Sequence, residues 1–129
     1  MKQANIDNKT AMTVQAVAAR FHQLAQQEKW FEIQDELFAE SVRSIEPATA
    51  NGLPNAEGKA AVRKKGEQLL RRVEAVHKSF TSEPVVGGNF FAVGRELDMT
   101  VRAAGRTQMH EVMLYEVKDG QIVREQFFY

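Results

Sequence analysis

The final forty residues leave this chain few choices of architecture. Residues 90–102, 106–117 and 121–129 each alternate apolar and polar side chains, separated by Ala103-Ala104-Gly105 and by Lys118-Asp119-Gly120. Asp-Gly between two alternating runs is the strongest local signal for a hairpin, because such a turn needs backbone at positive φ. The stretch therefore reads as three consecutive antiparallel strands. The first two span about 40 Å each at roughly 3.3 Å per residue, and strands of that length twist or bend. Gly94 is the expected bend or bulge in the first. A long curved sheet has a concave face, to be filled by helices from earlier in the chain and by whatever the protein binds.

Upstream, the apolar period changes to that of a helix. Thr13 is an N-cap, and Val14, Val17, Ala18, Phe21, Leu24 and Ala25 form one stripe, predicting a helix to about residue 27. After a break at Glu28-Lys29, Trp30, Ile33, Leu37 and Phe38 repeat the pattern over residues 30–40. Residues 41–46 form a short strand stopped by Pro47, and Asn51-Gly52 and Pro54 mark a loop over 48–55. Asn55 then caps a third helix over 56–76, with Val62, Leu69, Val73 and Val76 as its stripe. Gly66 interrupts that helix at a cost of about 1 kcal/mol. Lys59, Arg63, Lys64, Lys65, Arg71 and Arg72 make it basic, which reads as a solvated face. Residues 77–81 form another strand, and Val85-Val86 leads into a Gly87-Gly88-Asn89 turn. The order predicts one α+β domain over 11–129, with helices on one face of a mainly antiparallel sheet, behind a polar, frayed segment 1–10.

Composition narrows the function. With 17 basic and 17 acidic side chains the chain carries no net charge, which argues against nucleic acid as a partner. There is no cysteine, and His22, His77 and His110 have no recognisable metal spacing, so neither a metal nor another cofactor is expected. The N-terminus lacks the apolar core of a signal peptide, and no apolar run is long enough to span a membrane. A soluble, cytoplasmic protein is the expectation.

Four stretches carry a resemblance. Glu28-Lys29-Trp30-Phe31 occupies the break between the first two helices, and Leu37-Phe38-Ala39-Glu40-Ser41-Val42 leads into the first strand. Ile45-Glu46-Pro47 ends that strand, with Gly58-Lys59-Ala60-Ala61-Val62 opening the third helix. The most specific is the final hairpin, Tyr115-Glu116-Val117-Lys118-Asp119-Gly120-Gln121-Ile122-Val123-Arg124. In this order they resemble the SnoaL-like branch of the nuclear transport factor 2-like superfamily. The resemblance implies a cone-shaped α+β barrel, a pocket between sheet and helices, and a homodimer formed through the outer sheet face. It implies no single reaction, since the superfamily includes polyketide cyclases, steroid isomerases, epoxide hydrolases, dehydratases and non-catalytic binding proteins. Function must come from the site.

Strand parity sorts the candidates. In the middle strand Met109, Glu111, Met113, Tyr115 and Val117 share one face, and the resemblance places Tyr115 and Val117 inside. In the strand before it, Phe91, Val93, Arg95, Leu97, Met99 and Val101 make the apolar, inner parity, with Arg95 the exception; Glu96, Asp98, Thr100 and Arg102 face water. The last strand has two registers. A two-residue Asp119-Gly120 loop pairs Glu111 with Phe128 and turns Arg124 and Gln126 inward. A three-residue loop with a glycine bulge pairs Glu111 with Phe127 and turns Val123, Glu125 and Tyr129 inward, the parity the superfamily favours.

Glu111 is the leading candidate, because a carboxylate among two methionines and a tyrosine loses hydration and its pKa rises toward the range useful for proton transfer. Alternatively it is satisfied by Arg95 or Tyr115 and only completes the interior. Glu46 is either an exposed strand-end acid or the second member of an acid–base pair with Glu111. His77, which begins the strand after the third helix, is either structural or a proton shuttle for Glu111, and Glu125 joins the site only in the second register. Tyr115, Tyr129, Met113, Met109, Trp30, Phe127 and Arg95 are the expected ligand-binding set for a small apolar molecule, or else are core. His110, Val112 and Leu114 form an outer strip that a second copy would cover. Three readings stand: metal-free acid–base catalysis (isomerase, cyclase or hydratase-like), a binding protein with the same pocket, and a dimeric interaction module with a filled cone.

Overall fold

A computed structural model describes residues 11–50 and 53–129. The readings for residues 1–10 and for Asn51-Gly52 lie outside the described residues. The elements are α1 (Val14–Ala25), α2 (Trp30–Leu37), β1 (Phe38–Ile45), β2 (Ala56–Glu57), α3 (Lys59–Arg72), β3 (Val73–Thr81), β4 (Val85–Gly87), β5 (Phe90–Val101), β6 (Gly105–Lys118) and β7 (Gln121–Phe128). Among the described residues the strands form one open, curved sheet in the order β2-β1-β7-β6-β5-β3, with β4 added along β5. Every pairing is antiparallel except β1 with β7. The expected α+β class with helices against a mainly antiparallel sheet is what the chain forms. No helix among the described residues is long and apolar enough to cross a membrane.

α1 covers the inner sheet face around Phe91 and Tyr115. Thr13 Oγ1 accepts from Ala16 N–H at 3.1 Å, capping the helix, and the predicted stripe Val17, Ala18, Phe21, Leu24 and Ala25 is buried. It packs on Phe91, Val93, Met113, Tyr115, Val117 and Ile122 of the sheet. Phe21 is the centre, with its ring 5.2 Å from Phe91 and 4.7 Å from Tyr115. Burying a side chain of this size stabilises by about 1.5–3 kcal/mol.

Three boundaries differ from the sequence expectation, each because strand pairing outweighs local propensity. The second helix ends at Leu37, and Phe38 already belongs to β1, opposite Ile122. The third helix starts at Lys59, after Gly58 at φ 91°, and Asn55 does not cap it. Instead Asn55 Oδ1 accepts from Glu46 N–H at 2.7 Å, closing the bend that lets Ala56-Glu57 pair with Arg43-Ser44. The same helix stops at Arg72, and Val73 and Val76 leave its expected stripe to pair with Val101 and Met99. β-Branched residues suit that ladder better than a helix. Gly66 has a packing reason: a Cβ there would stand 3.1 Å from the Phe31 ring, so glycine lets α3 approach α2.

The closing hairpin combines features of both proposed registers. Asp119 (φ 52°) and Gly120 (φ 76°) form a two-residue turn between the Lys118–Gln121 pair, as the first supposed. The ladder then shifts: Val117 faces Ile122 but Glu116 faces Arg124, leaving Val123 as an extra residue. This bulge restores the inward parity of the second register while moving every pairing onward. Val112 faces Phe128, so Glu111 lies one step further along, level with Tyr129 rather than Phe127 or Phe128.

Candidate functional site

The bulge decides what faces inward, and it turns Glu125 into the interior. Ser44 and Glu125 are partners across the parallel β1–β7 pair, and Ser44 Oγ donates to Glu125 Oε2 at 2.7 Å, both side chains buried. Lys65 reaches this point from α3. Its ammonium donates to Ser44 Oγ (2.8 Å), Glu46 Oε2 (2.6 Å) and the Pro54 carbonyl (3.1 Å), using all three N–H bonds. The Glu46 side chain is 6% exposed and that of Lys65 11%, so the pair is almost out of water. Tyr129 completes the chain by donating its hydroxyl to Glu46 Oε1 at 2.7 Å, while the Lys65 ammonium also lies 5.2 Å from the centre of the Phe127 ring.

Electrostatics follow from this packing. Burial raises the Glu125 carboxyl, and the Ser44 hydrogen bond and the Lys65 charge pull against it. Tyr129 is pushed up by burial and by its bond to Glu46. Tyr115, fully buried with its hydroxyl 3.7 Å from Met113 Sδ, is raised well above the usual phenol value by burial and by the Glu125 and Glu111 charges.

Glu111 stands apart from this network. Among the described residues it makes neither a hydrogen bond nor an ion pair. It is partly buried on the inner face, between the partly buried Met109 and the buried Met113. Burial pushes its carboxyl up to about 7; Glu46 and Glu125 add to the rise, and the Arg95 and Lys65 charges oppose it. Arg95 is its cross-strand partner on β5. The Arg95 guanidinium stacks 4.4 Å from the centre of the Trp30 ring and donates from Nη1 to Ser79 Oγ and Thr81 Oγ1, both at 3.1 Å. Behind it, Glu28 accepts from Ser79 Oγ at 3.0 and 2.9 Å and from Trp30 Nε1 at 2.9 Å.

The fold thus assembles Glu46, Glu111, Glu125, Tyr115, Tyr129, Met109, Met113, Phe127, Arg95 and Trp30 along one concave face. His77 does not join them. It sits at a bulge in β3, exposed, with Nε2 2.7 Å from Thr100 Oγ1 on the opposite sheet face, where it cannot relay a proton to Glu111. Sequence reasoning missed Lys65 and Ser44. The basic run of α3 reads as a solvated face, yet Lys65 lies three residues after buried Val62, on the same side of the helix. Ser44 shares strand parity with buried Val42 and with Glu46, a signal that was there to find. Among the described residues no three histidine, cysteine or acidic side chains are grouped to hold a metal.

Comparison with known proteins agrees with the fold. The profile of the SnoaL-like domain family matches residues 12–129. No curated protein sequence matches the chain. Among solved structures, a protein from Mesorhizobium loti is 34% identical, with a TM-score of 0.85, over 92% of this chain and 100% of that one. Its provisional names are SnoaL-like polyketide cyclase and carbohydrate phosphatase. A nuclear transport factor 2-like protein from Burkholderia thailandensis shares the fold at 13% identity and a TM-score of 0.76, over 91% and 90% of the two chains. A protein with a ketosteroid isomerase-like fold from Catenulispora acidiphila, in complex with trimethylamine, is 13% identical with a TM-score of 0.62, over 75% and 72%. The chain belongs to the SnoaL-like domain family.

Proposed function

We propose that the inner-face cluster is a small-molecule site, and that Glu111 moves a proton on a small, largely apolar substrate bearing a carbonyl group. The observation that carries this reading is Glu111 itself, a partly buried carboxylate without a bonded partner among the described residues and with its carboxyl near 7. A group poised there is divided between acid and base at neutral pH, which suits it to take a proton from carbon and return it. Arg95, directly across the β5–β6 pair, is the group that stabilises oxygen charge as the proton leaves. Met109, Met113, Trp30 and Phe127 supply apolar contact. Glu46 and Glu125 are held by Lys65, Tyr129 and Ser44, so in this reading they set the field around Glu111 and do not exchange protons with substrate.

Deuterium exchange tests it. Aryl and cyclic ketones incubated with the protein in D2O should lose α-proton signal by NMR, and Glu111→Gln should abolish the loss. A ketone that binds, seen as a thermal shift, but never exchanges would make this a binding protein. The satisfied state of Glu46 and Glu125 favours that second reading, because two of the three interior acids already have partners.

We further propose that a second copy covers the outer sheet face. Phe80, Val112 and Phe128 are each about half exposed there, beside His110 and around a shallow depression. Apolar side chains grouped on one sheet face are unfavourable in water and suit a self-complementary contact.

A further inference from the structure

We infer that Arg95 is an anion anchor, and that the molecule held against Glu111 is a small monocarboxylic acid with an apolar body. This rests on the small-molecule reading above and names the ligand of its binding form, in which Glu111 is held protonated and takes no proton from carbon. The Arg95 guanidinium is unusually well fixed. Its Nη1 is spent on Ser79 and Thr81, and its face is laid on Trp30. Ser79 and the Trp30 indole are both tied to Glu28, which adopts left-handed backbone (φ 58°) where glycine is the usual residue. A non-glycine residue kept in that conformation, with its carboxylate joining two of the three supports of one guanidinium, is a built arrangement.

What remains of Arg95 is the edge formed by Nε and Nη2, which makes no hydrogen bond or ion pair among the described residues. Two parallel N–H bonds on a planar fork match the two oxygens of a carboxylate. Arg95 is substantially buried, and burial works against its charge, with Glu28 and Glu111 acting the other way. An incoming carboxylate would supply a compensating charge at contact distance.

A second consequence involves Glu111. A ligand carboxylate on Arg95 lies beside it, and two carboxylates at one guanidinium repel. The groups facing Glu111 are Arg95 from β5, Glu125 and Tyr129 from the last strand and its end, Glu46 from the end of β1, Lys65 from α3 and Tyr115 on its own strand. Of these Lys65 and Arg95 are the cations, and Lys65 is already committed to Glu46. Anion binding therefore draws a proton onto Glu111, whose carboxylic acid can then donate to the ligand.

The experiment is calorimetric titration of the intact protein with benzoate and octanoate, and with benzamide and octanamide as neutral counterparts. At pH 6 to 7 at least one acid should bind about tenfold or more tightly than its amide. Its Kd should rise toward tenfold per pH unit above 7, with proton uptake shown by heats that depend on the buffer's ionisation enthalpy. Arg95→Gln should weaken the acid by about tenfold or more and the amide by much less, with Arg95→Lys in between. The wild-type acid-to-amide comparison stands even if a variant does not fold. Equal affinity for acid and amide, or acid affinity flat from pH 6 to 8, overturns the anchor. Amides or ketones binding alone would do so while leaving the proton-transfer reading intact. Failure of acids, amides and ketones alike overturns both.

Discussion

Lys65 Nζ lies 2.6 Å from Glu46 Oε2, joining the middle of α3 to the end of β1 through a pair almost fully withdrawn from water. The same ammonium also bonds Ser44, the hydroxyl that holds Glu125. One cation therefore organises two of the three interior acids. The third, Glu111, is left without a bonded partner among the described residues.

Removing that cation should be costly. Lys65→Met would leave Glu46 buried without its counter-ion and Ser44 short of a donor, and should destabilise by about 3–5 kcal/mol in urea unfolding. Arg43→Ala, which breaks a solvent-exposed contact to Glu57, should cost about 1 kcal/mol or less. A double Lys65→Met, Glu46→Leu replacement should recover much of the loss, since the desolvated charges leave together. Equal effects of the two single changes would show that the buried pair has no special weight.

Glu111 should make stability depend on pH in a direction unusual for an acid. An unfolded glutamate titrates near about 4.3. In the folded protein burial raises the group to about 7. Between those values the folded state binds more protons, so stability falls as pH rises from about 4 to about 7 and then levels off. Glu111→Gln should therefore match the parent near pH 4 and exceed it at pH 8. The full shift corresponds to roughly 4 kcal/mol, and relaxation around a partly exposed group should reduce the gain to roughly 2 kcal/mol. Thermal melts of both proteins at the two pH values check the sign.

Glu28→Gly separates strain from support. Glycine relieves a left-handed backbone that costs about 1 kcal/mol or more in other residues. It also removes the acceptor for Trp30 and Ser79. The expected result is nearly unchanged melting but greater quenching of Trp30 fluorescence by acrylamide, which is readable because Trp30 is the sole tryptophan. A clear rise in stability with unchanged quenching would mean that the carboxylate supports nothing.

The outer face can be tested with one charge. Val112→Glu should convert a dimer to monomer in sedimentation while leaving the fold intact, because Val112 points away from the core. A parent protein that sediments as a monomer would remove the case for a second copy there.

Much of the architecture was legible in the linear pattern. The stripe of α1, the alternation of β5 and β6 and the Asp119-Gly120 turn are local features, and each is read within one element. Parity on β6 was enough to place Glu111 beside Met109 and Met113. The errors fell where a distant strand competes with local preference: Phe38 is drawn out of a helix by Ile122, and Val73 and Val76 by Val101 and Met99.

The site divides in the same way. Periodicity put Glu111 on the face of Tyr115 and Arg95 on the apolar face of its own strand, since side chains two residues apart on a strand must share it, while the family resemblance said that the Tyr115 face is the inner one. Which way Glu125 points was decided by the extra residue at Val123, a bulge set by the fit between two whole strands. Whether Lys65 is a surface charge or the counter-ion of Glu46 depended on where α3 lies against β1, a relationship between residues nineteen apart in the chain. Local sequence carries the period of each element, and so its faces. The partners those faces meet are fixed only when the elements pack, because burial, charge pairing and register are properties of the contact.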